Sequence, residues 1–347
     1  MDFELSADQV ALRDAAADLL GGAGSVSRAR AVLDAPLGYD AELFKQVVEQ
    51  GWLALEVPQA LGGIGLGFVE VAVLAEQLGR HVAPVPFLSS SLAIAALLGA
   101  DASPAVADRA AAALERVVNG EAVASVGHVG ELFVDAPHAQ LVVAIDVAAG
   151  AVTLHELAEP QRAEPAMDQT RRVAWFRPAD DHGGLSLGGA DLATALYDRA
   201  GVAYAAELLG ASQRMLEVAT TYAKTREQFG RPIGSFQAIK HRLADMLVDV
   251  EGMRSAVHAA AWSVATDADD RSLAASTAKA WCGDASRRVM ESALQVHGGI
   301  GFTWEHDLHL YFKRAHLDRT LFGDPTHHLR RLATLLRDRV RAGTDLW

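Results

Sequence analysis

The chain has 347 residues, half of them hydrophobic, and a formal net charge of −13. That length suffices for two or three domains, or for one large helical unit with a sizeable core. The negative charge argues against nucleic acid as a general partner, although a local basic patch can still receive an anionic ligand. The single cysteine, Cys282, excludes an intrachain disulfide, and its helical Ala/Trp/Gly surroundings favour a packing role.

The first third of the chain predicts helices. Ser6 and Asp40 are suitable N-cap residues, and the apolar spacing that follows them is helical. The predicted helices here include 7–20, one after Asp40, 68–78 and 89–98. The glycine-rich run 61–67 follows no convincing strand and has no lysine after glycine, so we interpret it as a connector and reject a P-loop. Met1–Glu4 has no apolar signal-peptide core and no apolar run is long enough to span a bilayer, so we expect a cytoplasmic protein.

The pattern changes between about Val117 and Gly189, where short apolar or alternating runs are separated by Gly, Pro, Asp and His. Such runs predict strands of a small β domain. The predicted strands are 122–126, 141–145, 151–154 and 172–176. A helical region then begins at Ala190 and lasts almost to the end of the chain. The sequence therefore predicts a mostly α fold with a small central β domain.

Two polar clusters in the last third carry the strongest chemical signal. The first runs from Thr225 through Arg226 and Phe229 to Gln237, and the second from Gln295 through Gly298 and Gly299 to Phe302. Adjacent glycines let a ligand approach the backbone closely, and arginine pairs with phosphate oxygens. A dinucleotide with a pyrophosphate and a ring uses all of these groups. The simpler interpretation is that the glycines end a helix and the arginines are solvated.

Both clusters resemble the signature motifs of acyl-CoA dehydrogenases. The resemblance rests on TREQFGRPIGSFQ from Thr225 to Gln237 and on QVHGGIGFTWE from Gln295 to Glu305. It implies an N-terminal helical domain (1–116), a middle β domain (117–189) and a C-terminal four-helix bundle (190–347). It also implies that six residues grip the ADP half of an FAD held by a neighbouring subunit: Arg226, Phe229, Gln237, Gln295, Gly298 and Gly299.

The middle of the chain departs from this family. The family's β domain usually carries a Thr-Glu-Pro-x-Ala-Gly-Ser-Asp-like loop that contacts the flavin ring, and nothing between Gly120 and Gly189 resembles it. We therefore expect that the chain has lost the part that cradles a flavin of its own.

The family's catalytic base is usually a Glu in the turn that opens the last long helix, and Asp324 occupies that position here. Asp is one methylene shorter, and a misplacement of about 1 Å can lower a rate on the order of 100-fold. Asp324-Pro325-Thr326 also reads as an ordinary helix N-cap with Pro at the first position, so both roles stay open. The family's second base position falls near Ala200, which has no acidic group, and Glu207 faces elsewhere on a regular helix.

Several nearby residues have plainer interpretations. His327 and His328 lack neighbours at metal-ligand spacing, so we expect surface groups or ligand contacts. We interpret His297 as a packing or turn residue. Trp304 and Glu305 are interpreted as the cap region that opens the next helix, with a contact to the pocket as the second interpretation.

With these motifs and departures taken together, the chain resembles the shorter subunit of α2β2 acyl-CoA dehydrogenases of actinobacterial steroid catabolism. That resemblance implies a partner subunit that supplies the base, a bulky CoA ester as substrate and an electron-transfer acceptor. Two alternatives remain: a self-sufficient homo-oligomer that uses Asp324, and a non-catalytic scaffold on the same fold.

Overall fold

A computed structural model describes residues 4–22, 25–177 and 184–343. The described residues form eleven α-helices, with their longer strands in the middle of the chain, which confirms the predicted fold class. None of the helices in these ranges is long and apolar enough to cross a membrane. The helices are α1 Ala7–Gly21, α2 Ser25–Ala31, α3 Ala41–Glu49, α4 Phe68–His81, α5 Phe87–Leu98, α6 Pro104–Val118, α7 Ala190–Thr225, α8 Gln237–Ala265, α9 Arg271–His297, α10 Leu308–Thr320 and α11 Pro325–Ala342.

Contacts divide the chain into two compact units. One comprises Met1–Ser27, Ala72–Ala83 and Gly201–Trp347, and the other comprises Arg28–Val71 and Pro84–Ala200. The predicted domain boundaries at 116/117 and 189/190 stay a prediction.

The two predicted N-caps have the expected geometry. Ser6 accepts a hydrogen bond from the Gln9 N–H at 3.2 Å, while the Gln9 side chain accepts one from the Ser6 N–H at 2.9 Å. This reciprocal pair is a capping box, which satisfies two N–H groups at the start of a helix. Asp40 Oδ1 accepts from the Leu43 N–H at 2.9 Å at the start of α3. Local chemistry therefore fixes where these helices begin.

Helices α2 and α6 lie outside the predicted set. Pro104 at the first position of α6 follows Ser103, and Ala110, Leu114 and Val117 form its buried side. The Ser-Pro pair and the apolar spacing are both visible in the sequence, but the run is rich in alanine, which weakens the contrast between its two faces.

The β region forms one four-stranded sheet in the order β1-β3-β4-β6 and one pair, β2-β5. Strands β1 and β3 are parallel, and the other pairs are antiparallel. Phe133 and Phe176 pack edge to face, with ring centroids 5.4 Å apart, at the centre of the apolar cluster of this region. The strands are β1 Ala124–His128, β2 Leu132–Val134, β3 Leu141–Asp146, β4 Ala151–Glu156, β5 Val173–Trp175 and β6 Leu185–Gly188.

The larger unit is a helical bundle in which α9 packs against α8, α10 and α11. Two glycines allow close approach of α4 and α7, since a Cβ added to Gly79 would lie 1.9 Å from the Glu207 carbonyl oxygen and one on Gly210 would lie 1.7 Å from that of Glu76. Cys282 is fully buried in this bundle, and burial raises the pKa of its thiol. Its packing role agrees with the sequence analysis.

Candidate functional site

A short hairpin after α7 carries Phe229 at its tip. Strands β7 (Glu227–Gln228) and β8 (Arg231–Pro232) pair, and Phe229 and Gly230 between them have φ values of +54° and +76°. Two-residue hairpin turns of this kind need positive φ at both central positions. Phe229 is 91% exposed, and its ring meets Phe236 edge-on with centroids 6.1 Å apart. The predicted aromatic group therefore projects away from the chain's own core.

The polar members of the first motif surround this hairpin. Arg226 directly follows α7, and its carbonyl accepts a hydrogen bond from the Ile233 N–H at 2.8 Å. Gln237 is the first residue of α8. Both side chains are exposed. An exposed guanidinium and an exposed amide beside an exposed ring suit an external ligand.

The diglycine of the second motif presents bare backbone at the end of α9. Gly298 has φ +63° and ψ −141°, a combination that is essentially restricted to glycine. No heavy atom lies within 4 Å of a Cβ built on Gly298 or on Gly299, so the space beside both residues is open. Gln295, one turn earlier, is exposed. Gly298 therefore both ends the helix and leaves room for a close approach.

The fold brings the two motifs together, although they are far apart in sequence. Tyr222 near the end of α7 stacks on His297 near the end of α9, with ring centroids 4.5 Å apart and planes 26° apart. Arg242 on α8 donates to the Ser292 hydroxyl of α9 at 3.3 Å, about one turn from the motif residue on each helix. The six predicted grip residues thus lie at neighbouring ends of three helices.

Exposed apolar side chains continue the surface beyond the diglycine. Phe302 is 73% exposed and Trp304 is 58% exposed. Lys313 Nζ lies 4.3 Å above the Trp304 ring, which is cation–π geometry. The expectation that Trp304 and Glu305 open the next helix is wrong, because they lie in a turn and α10 begins at Leu308. The Thr303 hydroxyl donates to the Ile300 carbonyl at 3.0 Å and helps form this turn.

Asp324 is the N-cap of α11. Its Oδ1 accepts a hydrogen bond from the His327 N–H at 2.7 Å, Pro325 occupies the first helical position, and the side chain is exposed. The capping interpretation is therefore realised in the structure. Capping does not exclude a role as base, so that role stays a prediction.

The turn that precedes Asp324 is held firmly. Phe322 and Gly323 both have positive φ, at +52° and +88°. Tyr204 stacks on Phe322 with centroids 5.7 Å apart, and His328 Nε2 lies 2.8 Å from the Phe322 carbonyl oxygen. The buried Lys279 donates from Nζ to the carbonyls of residues 318 and 319, at 2.8 and 3.0 Å, at the end of α10. Groups from three helices therefore fix the position of this turn.

The two adjacent histidines have different environments. His327 is exposed, whereas His328 is buried, and burial lowers the pKa of His328 to about 3. The expectation that both are surface groups or ligand contacts is wrong for His328, because it packs inside the bundle. Among the described residues no group of three His, Cys, Asp or Glu side chains is arranged to hold a metal ion.

Glu207 is a structural carboxylate. It is fully buried on α7 and pairs with the equally buried Arg314 of α10, with Nη1 2.8 Å from Oε1. The Arg314 side chain therefore balances its charge inside the bundle. Ala200, near which the resemblance places the family's second base position, is buried and has no acidic group.

His297 has a more specific environment than the sequence indicates. Its Nδ1 lies 2.7 Å from the Ala293 carbonyl oxygen, and its ring is stacked on Tyr222 and packed edge-on against His306. The sequence signal is its position inside the second motif. Its contact with Tyr222 depends on tertiary packing and leaves no local signal.

Comparisons with known proteins converge on one family. Residues 6–121 match the family model "Acyl-CoA dehydrogenase, N-terminal domain", and residues 188–336 match "Acyl-CoA dehydrogenase, C-terminal domain". Acyl-CoA dehydrogenase IpdE2 of Mycolicibacterium smegmatis is 37% identical over 329 residues, which cover 94% of this chain and 98% of the relative. IpdE2 of Mycobacterium tuberculosis is 37% identical over 327 residues, covering 92% and 95%.

Solved structures give the same result. The ChsE4–ChsE5 complex from Mycobacterium tuberculosis contains a chain that matches with a TM-score of 0.85 and 28% identity, covering 97% of this chain and 99% of that one. A chain of the Tcur3481–Tcur3483 steroid ACAD G363A variant matches with a TM-score of 0.84 and 26% identity, covering 96% and 99%.

Proposed function

Because the chain belongs to the acyl-CoA dehydrogenase family, we propose that it is one subunit of a heteromeric acyl-CoA dehydrogenase and shares an FAD with a larger, homologous partner. In this proposal the heteromeric enzyme oxidises the α,β carbon–carbon bond of a CoA thioester substrate. The observation that carries the proposal is the exposed grip: Phe229 is 91% exposed, and the backbone at Gly298 and Gly299 is open.

FAD is the cofactor of this family, and the exposed motif residues fit its ADP half. Arg226 supplies a guanidinium for a pyrophosphate, and the bare backbone beside Gly298 and Gly299 admits a phosphate or ribose. Phe229 offers an uncovered ring face, and Gln237 and Gln295 offer amides. All of these groups point away from the chain's own interior, which suits a nucleotide whose redox ring lies in another subunit.

FAD, when bound, supplies the acceptor for the β-hydrogen as hydride, while a carboxylate base takes the α-proton. This chain's residues hold and orient the nucleotide, so their contribution is positioning. In the proposal the partner supplies the base, as the resemblance to two-subunit dehydrogenases implies, and Asp324 serves this chain as a helix cap. The proposal also requires an external electron-transfer acceptor, which the resemblance implies as a further partner.

The choice of partner and substrate rests on the relatives. One similar structure is a complex of two named subunits, and another is named a steroid ACAD. We extend both features to this chain and propose an α2β2 assembly that acts in the cytoplasm on a bulky, steroid-derived CoA ester. The missing flavin-ring loop of the β region supports dependence on a partner.

A self-sufficient dehydrogenase is the second candidate. The observation in its favour is the fixed geometry of the turn at Phe322 and Gly323. This turn directly precedes Asp324, the residue that the resemblance aligns with the family's base. In that case each subunit uses its own carboxylate, and no second gene product is needed.

Flavin content separates the two candidates. The chain is expressed alone and together with a candidate larger acyl-CoA dehydrogenase subunit from the same genome, and the bound flavin of each sample is measured from its visible absorbance. We expect the isolated chain to bind little FAD and the co-purified complex to bind it stoichiometrically. Full flavin loading and full activity of the isolated chain would rule out the shared-subunit proposal.

A further inference from the structure

The outer face of α11 carries a row of exposed apolar side chains. The row consists of Leu329, Ala333, Leu336 and Val340, and this 4-3-4 spacing places all four on one face of the helix. Leu329 is 56% exposed, Leu336 is 40% exposed and Val340 is 60% exposed, and Ala333 is exposed as well. We call these four residues the α11 stripe. Contiguous exposed apolar side chains mark interaction surfaces more often than single ones do.

Another side of α11 is fixed to the helical bundle. The helix packs against α9, where Arg331 Nη1 donates to the Ser276 hydroxyl at 2.9 Å. Near the other end of the helix, Arg339 Nη2 donates to the Asp269 carbonyl oxygen at 3.2 Å. These contacts fix the rotation of α11 about its own axis. The α11 stripe therefore stays on the outside of the bundle.

A row of arginines borders the α11 stripe along its length. Arg330, Arg337 and Arg341 are exposed, and each directly follows a residue of the stripe. The carboxylate beside them is that of Asp338, whose Oδ1 lies 3.9 Å from Arg337 Nε and 3.9 Å from Arg341 Nη1. Ion pairs this long and this exposed contribute little. The border therefore combines three guanidinium groups with one carboxylate and is positively charged.

The geometry of the α11 stripe suits a second helix. Its spacing is the a/d repeat of helices that pack side by side, with Leu329 and Leu336 at d positions and Ala333 and Val340 at a positions. The stripe is narrow, since its four positions span about 60° of the helix circumference at about 100° per residue. A helix that lies in a membrane surface has a broader apolar face and must sink into the lipid, whereas α11 is held on α9.

The arginines indicate the charge of that second helix. In the same heptad assignment Arg330 and Arg337 occupy e positions, and Arg339 occupies a g position. A second copy of α11 would set arginine against arginine in a parallel or an antiparallel pair, which is unfavourable. A helix with carboxylates beside its apolar residues would pair with the arginines instead.

We propose that the α11 stripe docks an acidic amphipathic helix, and that this helix belongs to the larger subunit of the heteromer. The assignment to the larger subunit rests on the proposed function, and a complex of two named subunits is among the similar structures. No residue of the stripe belongs to either sequence motif. The α11 stripe is therefore a contact area in addition to the nucleotide grip.

Fluorescence anisotropy with two synthetic helical peptides tests the surface on the full chain. Both peptides carry leucine at a and d, and one carries glutamate and the other lysine at e and g. We expect the glutamate peptide to bind more tightly by on the order of tenfold. Arg330→Glu combined with Arg337→Glu should reverse this preference, and Leu336→Asp should abolish the binding of both peptides. Leu37→Asp, at a half-exposed leucine outside α11, is the matched control and should bind as the parent chain does.

Thermal unfolding checks that each variant is folded, which we expect because the replaced side chains are exposed. Equal binding of the two peptides, or peptide binding that Leu336→Asp leaves unchanged, overturns the docking of an acidic helix. Binding to anionic lipid vesicles that Leu336→Asp abolishes, without binding of the glutamate peptide, overturns it as well, because the occupant is then a membrane.

Association of the full chain with the larger subunit tests the source of the helix. Leu336→Asp should raise the dissociation constant of the complex on the order of 30-fold, because it places a charge where a leucine is buried, and Leu37→Asp should leave it unchanged. If the complex forms and holds flavin but Leu336→Asp does not weaken it, this proposal fails and the shared-FAD proposal survives. If the isolated chain is fully loaded with flavin and fully active, the proposed function fails, and the assignment of the helix to a larger subunit fails with it.

Discussion

Phe229 gives the sharpest test of the proposed shared cofactor, because its ring is exposed in the single chain and its replacement can change binding without changing folding. The side chain is 91% exposed in the single chain, so Phe229→Ala should change the free energy of unfolding by no more than about 0.5 kcal/mol. If the ring is covered by the nucleotide and the partner, its removal forfeits the burial of a phenylalanine or the stacking of a base, about 2 kcal/mol in either case. That loss corresponds to a dissociation constant for FAD raised about 30-fold.

The assay is a titration of the flavin-free complex with FAD, followed by protein fluorescence. Thermal unfolding of the isolated variant and parent chains gives the stability comparison. Trp175→Ala is the matched control, because Trp175 is a half-exposed aromatic residue on β5 that belongs to neither motif. Unchanged FAD affinity in Phe229→Ala, with the complex intact, would refute the reasoning, since the ring would then contribute nothing to the shared site.

Three further predictions concern buried or capping groups. Asp324→Asn should retain both the helix cap and the turnover of the complex. Asp324→Ala should lower the free energy of unfolding by about 1 kcal/mol, because it removes the cap. If Asp324→Asn unfolds normally but loses turnover, Asp324 is the base. Glu207→Ala leaves Arg314 buried without its carboxylate partner, so the free energy of unfolding measured with denaturant should fall by about 3–5 kcal/mol. A fall of less than about 1 kcal/mol would contradict the role of the buried pair. In the folded chain the pKa of His328 is about 3, so its imidazole stays neutral until the pH falls to that value. In the unfolded chain the same imidazole is protonated near the ordinary histidine pKa of about 6.5. The unfolded state therefore binds more protons below about pH 6.5, and the free energy of unfolding falls as the pH falls. The slope from this group is at most about 1.4 kcal/mol per pH unit between pH 6.5 and 3, and His328→Gln should flatten the measured curve; an unaltered slope would show that His328 does not control it.

The sequence predicts this protein best where the signal is local. The caps at Ser6 and Asp40 and the start of α7 at Ala190 follow from side-chain chemistry and periodicity, and the structure confirms them. Strands β1, β3, β4 and β5 overlap the predicted apolar runs, while β2 and β6 were not predicted.

The residues of the candidate site also separate into those that the sequence motifs indicate and those whose contacts depend on tertiary packing. Motif resemblance selects Arg226, Phe229 and the diglycine, and the structure brings their helix ends together without testing what they bind. The stacking of Tyr222 on His297 depends on how α7 packs against α9, so the periodicity within either helix does not predict it. The burial of His328 has the same origin, because its neighbours come from other helices.

The backbone at position 229 has a consequence for anyone who tries to stabilise this protein. A left-handed phenylalanine is an unfavourable choice, and Asn or Gly adopts φ +54° with less steric conflict. Stability screens of the isolated chain would therefore favour replacement of Phe229 by Asn or Gly, and such screens would miss any loss of the nucleotide contact that we propose for its ring.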